Sequence, residues 1–202
     1  MHNDVDRFSK WAPTYDRHRL QKIVFEPVQQ TLLDMAVHER PSAVAILDIG
    51  CGTGRLLRAA EERFPEARLQ GVDAAEGMVE AAQSAATGSG INFHHATAEQ
   101  LPFDAAQFDL VFSTMTFHHW SDQAMGISEI ARVLKPDGRW LLSDFVPRGL
   151  MRYVRRLVRL TRFRERHELS RMLAISGLGI VEERMVPGLW GQVSVLAIGR
   201  TR

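Results

Sequence analysis

The 202-residue sequence has little cysteine and no long apolar run. Its one cysteine, Cys51, excludes a disulfide framework and any metal site built from several thiolates. The longest apolar runs are far shorter than the eighteen or so residues that a membrane-spanning helix requires. Because the first eighteen residues are polar and lack the apolar core of a signal peptide, we expect a cytoplasmic location.

The charge of the chain is almost balanced, at +1, but it is unevenly distributed. Residues 148–171 contain nine arginines and two glutamates, so the remainder carries a net negative charge. With 45% hydrophobic and 24% charged residues, the composition is that of an ordinary globular protein. The length fits one domain.

Strand-like and helix-like segments alternate after Pro41. Short apolar or β-branched runs are separated by helical patterns of about ten residues, which predicts a parallel sheet with helices on both faces. The predicted strands are VAILDI (44–49), RLQGVD (68–73), INFHHA (91–96), FDLVFSTM (108–115) and RWLLSDF (139–145). The last of these strands follows a helix at about 122–134 and a predicted turn, KPDG (135–138).

The two ends of the chain differ from this alternating core. Apolar residues at helical spacing predict a helix over 20–38, which Pro27 could bend. The C-terminal runs GLGIVEERMVPG and WGQVSVLAIGR are separated by too few residues for a crossover helix, so they should pair antiparallel. We therefore expect an α/β fold with a seven-stranded, mostly parallel sheet and an antiparallel last strand.

A glycine-rich loop follows the first predicted strand, with Gly50, Gly52 and Gly54 at alternating positions. Ligands of open parallel sheets bind at the carboxyl ends of the strands, and Asp73, at the end of the second strand, could accept the hydroxyls of a ribose. Asp48 next to the loop would repel a pyrophosphate but suits an ammonium group. The pattern indicates a ligand with a ribose and a positive charge, as in S-adenosylmethionine.

Five segments in this order resemble the motifs of class I S-adenosylmethionine-dependent methyltransferases. They are LDIGCGTG, GVDAAEGMVEAA, ATAEQLPF, FDLVFSTMTFHHW and ARVLKPDGRWLLSDF, within about 40–146. The LPF sequence and the pair Tyr15-Asp16 are similar to the small-molecule branch, type 11, which includes quinone-biosynthesis enzymes. The resemblance implies a Rossmann-like fold and S-adenosylmethionine as cofactor, with S-adenosylhomocysteine as product.

The resemblance also implies a domain layout and a cofactor site. The single domain, 1–202, would comprise an N-terminal helical cap (1–40), a cofactor-binding core (41–146), a basic helical cap (147–176) and a terminal hairpin (177–202). The implied cofactor contacts are Tyr15, Asp48, Gly50, Cys51, Gly52, Asp73, Met78, Thr97, Ala98, Glu99, Ser113 and Met115. Thr97 departs from the pattern, because many members have an acid facing the adenine amino group there. Met78 could equally belong to the core, and Tyr15 could simply anchor a helix.

The candidate catalytic residues are His118 and His119, after the fourth strand, and Asp144, at the end of the fifth. A histidine could take a proton from the methyl acceptor, but HHW could equally form a pocket wall. His94 and His95 we expect to be structural. We expect no metal site, because adjacent histidines without a third ligand bind metal poorly.

The arginine-rich segment, 148–171, leaves three interpretations open. It could be a solvated helix that covers the sheet, a helix that contacts anionic membranes, or a contact for phosphate or nucleic acid. Nucleic acid ranks lowest, because few aromatic residues accompany the arginines. The expected partner is a small, hydrophobic or aromatic acceptor, methylated at oxygen, nitrogen or carbon. Alternatives are a nicotinamide-dependent oxidoreductase and a catalytically inactive partner protein, and no oligomeric state is predicted.

Overall fold

The computed structural model describes residues 2–15, 25–145, 165–188 and 191–201. The helices in these ranges are α1 (His2–Tyr15), α2 (Glu26–Glu39), α3 (Arg55–Arg63), α4 (Glu76–Ala85), α5 (Gln123–Val133) and α6 (Arg166–Ile175), with a 3₁₀ turn at Phe117–His119. The strands are β1 (Ala45–Ile49), β2 (Arg68–Asp73), β3 (Asn92–His95), β4 (Phe108–Thr114), β5 (Leu134–Phe145), β6 (Leu178–Gly188) and β7 (Gly191–Arg200).

The strands form one seven-stranded sheet in the order β3-β2-β1-β4-β5-β7-β6. Strands β1 to β5 pair in parallel, and β7 runs antiparallel to both β5 and β6. This confirms the predicted sheet and its antiparallel last strand. Strands β2 and β3 lie on one side of β1, and β4 and β5 lie on its other side. The strand order therefore reverses between β1 and β4, and the crevice at their carboxyl ends is the expected ligand position.

Each face of the sheet is covered by its own helices. Ile46 and Phe112 belong to a buried cluster with α2, α3 and α4, while Leu47 and Trp140 belong to a cluster with α5 and α6. Every residue of β1 is buried, as in a strand covered on both sides. The carboxyl ends of the strands are therefore the part of the sheet left for a ligand.

The two helices of the expected N-terminal cap occupy different layers. Helix α2 packs on the sheet, where Leu32 and Met35 are fully buried. Helix α1 lies against the start of α4, and its Ala12 forms a small buried cluster with Ala75 and Met78. Only α1 thus lies beside the carboxyl edge of β2.

Two local expectations need correction. The predicted helix over 20–38 is described from Glu26 onward, and Pro27 lies in its first turn, where proline fits a helix without bending it. The expected KPDG turn is part of β5, with a register shift opposite Phe108 and Leu110. Residues 135–138 are thus extra residues of β5 between the partners of Phe108 and Leu110 in β4. The Lys135 ammonium donates a hydrogen bond to Asp109 of β4 at 2.8 Å.

The expected basic cap, 147–176, and the arginine-rich segment, 148–171, lie mainly outside the described residues. Their described part begins at Glu165, which forms a capping box with Glu168 at the start of α6. Strands β6 and β7 form the expected hairpin. No helix among the described residues is long and apolar enough to cross a membrane.

Candidate functional site

The glycine loop leaves β1 in a left-handed backbone conformation that favours glycine. Gly50 and Gly52 have φ angles of 72° and 52°. The amides of Gly50 and Cys51 both donate to the carbonyl oxygen of Val72, at 2.8 and 3.0 Å. A side chain at Gly50 would collide with Thr116, whereas a Cβ at Gly52 would meet open space. The loop is therefore fixed against β2 and β4 and is open on the side of Gly52.

Two carboxyl groups from neighbouring strands flank this loop. Asp73 accepts hydrogen bonds from the amides of Gly52 and Ala75, at 2.9 and 2.8 Å. Asp48 is buried, and its Oδ1 atom has no hydrogen-bond partner. Within the described residues, no arginine or lysine forms an ion pair with either group. The positive charge that acts on the pair comes from His95, which opposes the rise in the pKa of Asp73.

Burial in this environment raises the pKa of both carboxyl groups. Burial, with a smaller contribution from the charge of Asp73, raises the pKa of Asp48 to about 8. Burial also raises the pKa of Asp73, although its bonds from Ala75 and Gly52 oppose the shift. Burial and both carboxyls raise the pKa of Cys51, which stays a thiol. A cation placed here would reverse the shift at Asp48.

The end of β4 borders the loop. Ser113 is fully buried and accepts a hydrogen bond from Trp140 Nε1 at 3.2 Å, so its hydroxyl faces the core rather than the loop. Met115 follows, with a left-handed φ of 56°, and its amide donates to the carbonyl oxygen of Ser143. Of the two residues expected under the cofactor, Met115 thus lies at the carboxyl edge while the Ser113 side chain is engaged in the core.

The three catalytic candidates lie together, because His118 pairs with Asp144 and the ring centroids of His118 and His119 are 4.1 Å apart. His118 Nδ1 lies 2.8 Å from Asp144 Oδ1, and the His118 amide donates to Asp144 Oδ2 at 3.1 Å. Both side chains are largely buried. His119 instead contacts the ring of Phe8 in α1, at a centroid distance of 5.2 Å. Asp144 thus fixes the orientation of His118, and α1 lies against His119.

Five of the implied cofactor contacts lie on α1, α4 and the segment after β3. Met78 is buried beside Ala12 and Ala75, and Tyr15 packs partly against the same cluster. Tyr15 also makes an edge contact with Trp11. The structure therefore brings Tyr15 and Met78 together at the start of α4, directly after the Asp73 carboxyl.

The segment after β3 offers fewer polar groups than expected. The Glu99 carboxylate accepts the amides of Ser121 and Asp122, at 2.7 and 3.0 Å, and so holds the start of α5. Ala98 is buried in the core, and Thr97 is exposed. Of these three, the Glu99 side chain has a structural role that the sequence pattern did not indicate.

His94, His95 and one group of side chains outside the loop could in principle bind a metal ion, and each already has partners within the chain. His94 bonds Gln70 at 2.7 Å, and His95 bonds the carbonyl oxygen of Ala74 at 3.0 Å. Among the described residues, one group of three metal-ligating side chains comes within 4.8 Å, formed by His38, Glu39 and Glu182. Its carboxylates already pair with Arg139 and Arg184 and lie away from the glycine loop.

Comparison with known proteins assigns this arrangement to a family. Residues 47–142 match the family described as methyltransferase domain. Residues 47–142 belong to this family. The match begins within β1 and ends within β5, so it includes the glycine loop, Asp48, Asp73, His118 and His119. The resemblance seen in the sequence motifs is thereby confirmed.

Individual relatives carry this methyltransferase domain within longer chains. The chain is 34% identical over 139 residues to malonyl-[acyl-carrier protein] O-methyltransferase of Acetivibrio thermocellus, covering 68% of this chain and 47% of that protein. It is 34% identical over 144 residues to demethylmenaquinone methyltransferase of Thermus thermophilus, covering 69% and 64%. The chain thus spans about half to two thirds of these relatives.

A solved structure shares the fold. The 1,6-didemethyltoxoflavin-N1-methyltransferase of Burkholderia thailandensis, crystallised with bound 1,6-didemethyltoxoflavin and S-adenosylhomocysteine, matches with a TM-score of 0.74 at 19% identity. The alignment covers 100% of this chain and 89% of that one.

Three residues near the loop were missed by the sequence analysis. Thr116 packs on Gly50, and the hydroxyls of Thr114 and Ser143 are buried without partners. Hydroxyl residues near strand ends are common, so the sequence carried no signal that could have distinguished them.

Proposed function

We propose that this methyltransferase-domain chain transfers a methyl group from S-adenosylmethionine to a small-molecule acceptor. The observation that carries the proposal is the buried Asp48 carboxyl, which has an unpartnered oxygen beside the glycine loop and next to Asp73. A buried polar atom without a partner is costly, and a ligand that supplies an ammonium group removes that cost. The cofactor carries such a group together with a ribose.

The residues present fit this cofactor. Asp48 would contact the methionine portion of the cofactor. The space beside Gly52 would hold that portion, because glycine has no side chain to fill it and no other atom occupies it. Each oxygen of Asp73 accepts one amide bond and keeps a lone pair for a ribose hydroxyl. Tyr15 and Met78, beyond Asp73, would contact the adenine.

When bound, S-adenosylmethionine supplies an electrophilic methyl group on a positively charged sulfur. The contribution of the chain is to fix the geometry, since methyl transfer requires in-line approach of the acceptor atom. The loop is fixed to Val72 and Thr116, and Met115 borders it from β4. These contacts support a site whose two halves, from β1 and β4, keep a constant separation.

His118 is proposed as the base for acceptors that must lose a proton. Its Nδ1 atom faces the Asp144 carboxylate at 2.8 Å, which orients the ring and stabilises the charge that the ring gains when it takes up a proton. His119, held against Phe8, is proposed to shape the acceptor pocket.

The acceptor is proposed to be a small hydrophobic or aromatic compound. One relative is named for malonyl-[acyl-carrier protein] and another for demethylmenaquinone, so related domains serve acceptors of different chemistry. The oxidoreductase alternative is not favoured, because the loop has the spacing Gly-x-Gly-x-Gly rather than the Gly-x-Gly-x-x-Gly of pyrophosphate sites.

Calorimetric titration with S-adenosylhomocysteine tests the proposal, with reduced nicotinamide adenine dinucleotide as control. We expect micromolar binding of S-adenosylhomocysteine alone. The variant Asp34→Asn, at an exposed acid that pairs with Arg63 on the helical surface, should bind like wild type. Binding of the dinucleotide instead, or of neither compound, would refute the proposal.

The role of His118 is tested by His118→Asn with acceptors found in a screen of phenols and quinols. For an acceptor that must lose a proton, we expect kcat to fall by roughly 100-fold or more with little change in S-adenosylhomocysteine affinity. For a thiolate or tertiary amine, which needs no base at neutral pH, kcat should change little. Equal losses with both acceptor classes would show that His118 is structural.

A further inference from the structure

Two hydroxyl groups near the carboxyl edge of the sheet have no hydrogen-bond partner. Thr114 Oγ1, at the end of β4, and Ser143 Oγ, in β5, are both buried from solvent. Ser143 is fully buried as a residue, whereas Thr114 is half-buried. Buried hydroxyls are nearly always hydrogen-bonded, so the coincidence of two neighbouring exceptions requires a reason.

The strand register places these hydroxyls side by side. Thr114 is the direct partner of Ser143 in the parallel β4–β5 pair, and directly opposed residues point to the same face. Asp48 is the partner of Phe112, two residues before Thr114, so its carboxyl lies on this face as well. Among the described residues, the three whose buried side-chain oxygens lack partners thus lie on one face of the sheet, with Asp48 two residues before the level of Thr114 and Ser143.

The surroundings of this row are apolar. Phe112 and Leu141 precede Thr114 and Ser143 by two residues on the same face, and Val195 of β7 is the partner of Ser143. All three are fully buried. A few convergent polar groups in an otherwise apolar wall are typical of small-molecule sites.

Two nearby serines have hydrogen-bond partners for their hydroxyl groups within the chain. Ser113 accepts a bond from Trp140, and Ser194 in β7 donates to Glu183 at 2.9 Å. Valine and alanine would fill the positions of Thr114 and Ser143 without leaving polar atoms unpaired. The stability of the fold therefore gives no reason for these two hydroxyls.

From this juxtaposition we infer that Thr114 and Ser143 bind a carbonyl oxygen of the methyl acceptor. A carbonyl oxygen has two lone pairs and accepts a bond from each of two opposed hydroxyls. Asp48 on the same face disfavours an anionic group, and the valine and aromatic surroundings fit an apolar body. The inference rests on the proposed function, because the pair shares its face of the sheet with Asp48, which is proposed to hold the methionine portion of the cofactor.

The single variants Thr114→Val and Ser143→Ala each remove one hydroxyl, and the double variant removes both. The control, Thr114→Ser, keeps a hydroxyl at position 114 and leaves Ser143 unchanged. Since neither hydroxyl has a partner in the free protein, the double variant should keep or slightly raise Tm. A fall in Tm of several degrees in both single variants would show that the hydroxyls stabilise the fold, and would overturn the inference.

Binding is measured with 1-tetralone and with tetralin, which has the same ring system without the carbonyl oxygen. With S-adenosylhomocysteine present, wild type and Thr114→Ser should bind 1-tetralone at least roughly tenfold more tightly than tetralin. The double variant should lose this preference and bind S-adenosylhomocysteine normally. Equal affinity of wild type for the two probes, or an unchanged preference in the double variant, would overturn the inference.

The same titrations are run without S-adenosylhomocysteine, which separates the two proposals. If S-adenosylhomocysteine fails to bind while 1-tetralone is preferred, the proposed function is refuted and the carbonyl site stands. If S-adenosylhomocysteine binds and 1-tetralone is not preferred, only the carbonyl site is refuted.

Discussion

The two edges of the sheet treat buried carboxyl groups in opposite ways. At the amino edge, Asp109 accepts bonds from Lys135 Nζ and from the amides of Val44 and Ala45, at 2.8, 3.1 and 3.0 Å. Burial opposes the ionised form, but these bonds prevail and lower the pKa of Asp109. At the carboxyl edge, Asp48 has an unpartnered oxygen, and its pKa is raised to about 8.

The difference separates an acid that serves the fold from an acid whose proposed partner is a ligand. Asp109 joins β4 to β5 and to the start of β1, so its partners are supplied within the chain. Asp48 lies in the same sheet, on a neighbouring strand, yet the described chain supplies no cation for it. An acid that folding leaves unsatisfied beside an open glycine loop is one for which the ligand supplies the partner.

Asp109→Ala should have the largest effect on stability. It leaves the Lys135 ammonium and two backbone amides without their acceptor, and we expect unfolding to become easier by roughly 2 to 4 kcal/mol. Denaturant unfolding measures the loss, and S-adenosylhomocysteine titration of the folded variant should give the wild-type affinity. A large change in affinity would show that the two edges are not independent.

Asp73→Ala should have the largest effect on binding. Loss of hydrogen bonds from the ribose hydroxyls to a charged group should weaken S-adenosylhomocysteine binding by roughly 1 to 3 kcal/mol. Calorimetry measures this directly, and Asp73→Asn, which keeps one acceptor oxygen, should lose less. Unchanged affinity in the alanine variant would remove Asp73 from the ribose site.

Asp48→Asn should produce a smaller, pH-dependent effect. The pKa of Asp48 is near 8 in the folded chain, against a usual 3.8, so the folded state retains a proton that the unfolded chain releases between these values. Stability from this group is therefore lost as the pH rises from about 4 towards 8. The asparagine variant avoids that loss, and its Tm should exceed that of wild type by roughly 3 °C or more at pH 8.

The matched control for this pH dependence is Asp109→Asn. Because the pKa of Asp109 is lowered, its contribution to stability is present at neutral pH and is lost as the pH falls through the folded pKa. The Tm difference between this variant and wild type should therefore shrink on acidification, whereas the Asp48→Asn difference should shrink as the pH falls from 8 to 4. The same trend in both variants would contradict the assigned shifts.

Most of the sheet could be predicted from sequence because local patterns determine it. Apolar runs of five or six residues, separated by amphipathic helices, leave a parallel sheet as the consistent arrangement. The residues expected to form a turn at 135–138 lie within β5 but outside its ladder, because one β4 residue, Asp109, separates the partners of Leu134 and Arg139. The local pattern indicated an interruption here but not that a strand continues on both sides of it.

The candidate site was predictable only where the residue type dictates the chemistry. Glycines with positive φ and acids at strand ends have distinctive patterns, so Gly50, Gly52, Asp48 and Asp73 could be located. The pairing of His118 with Asp144, and the engagement of Glu99 by the start of α5, depend on which neighbours the fold brings close. A side chain's partner is decided by packing, which a single sequence does not reveal.

The contact between Gly50 and Thr116 has a consequence for how this domain can diversify. Any side chain at position 50 would overlap Thr116, so the two loops are interlocked at that point. The turn at Phe117–His119, which is proposed to shape the acceptor pocket, begins directly after this contact. Substitutions in the turn would therefore leave the contact, and the position of the glycine loop, unchanged.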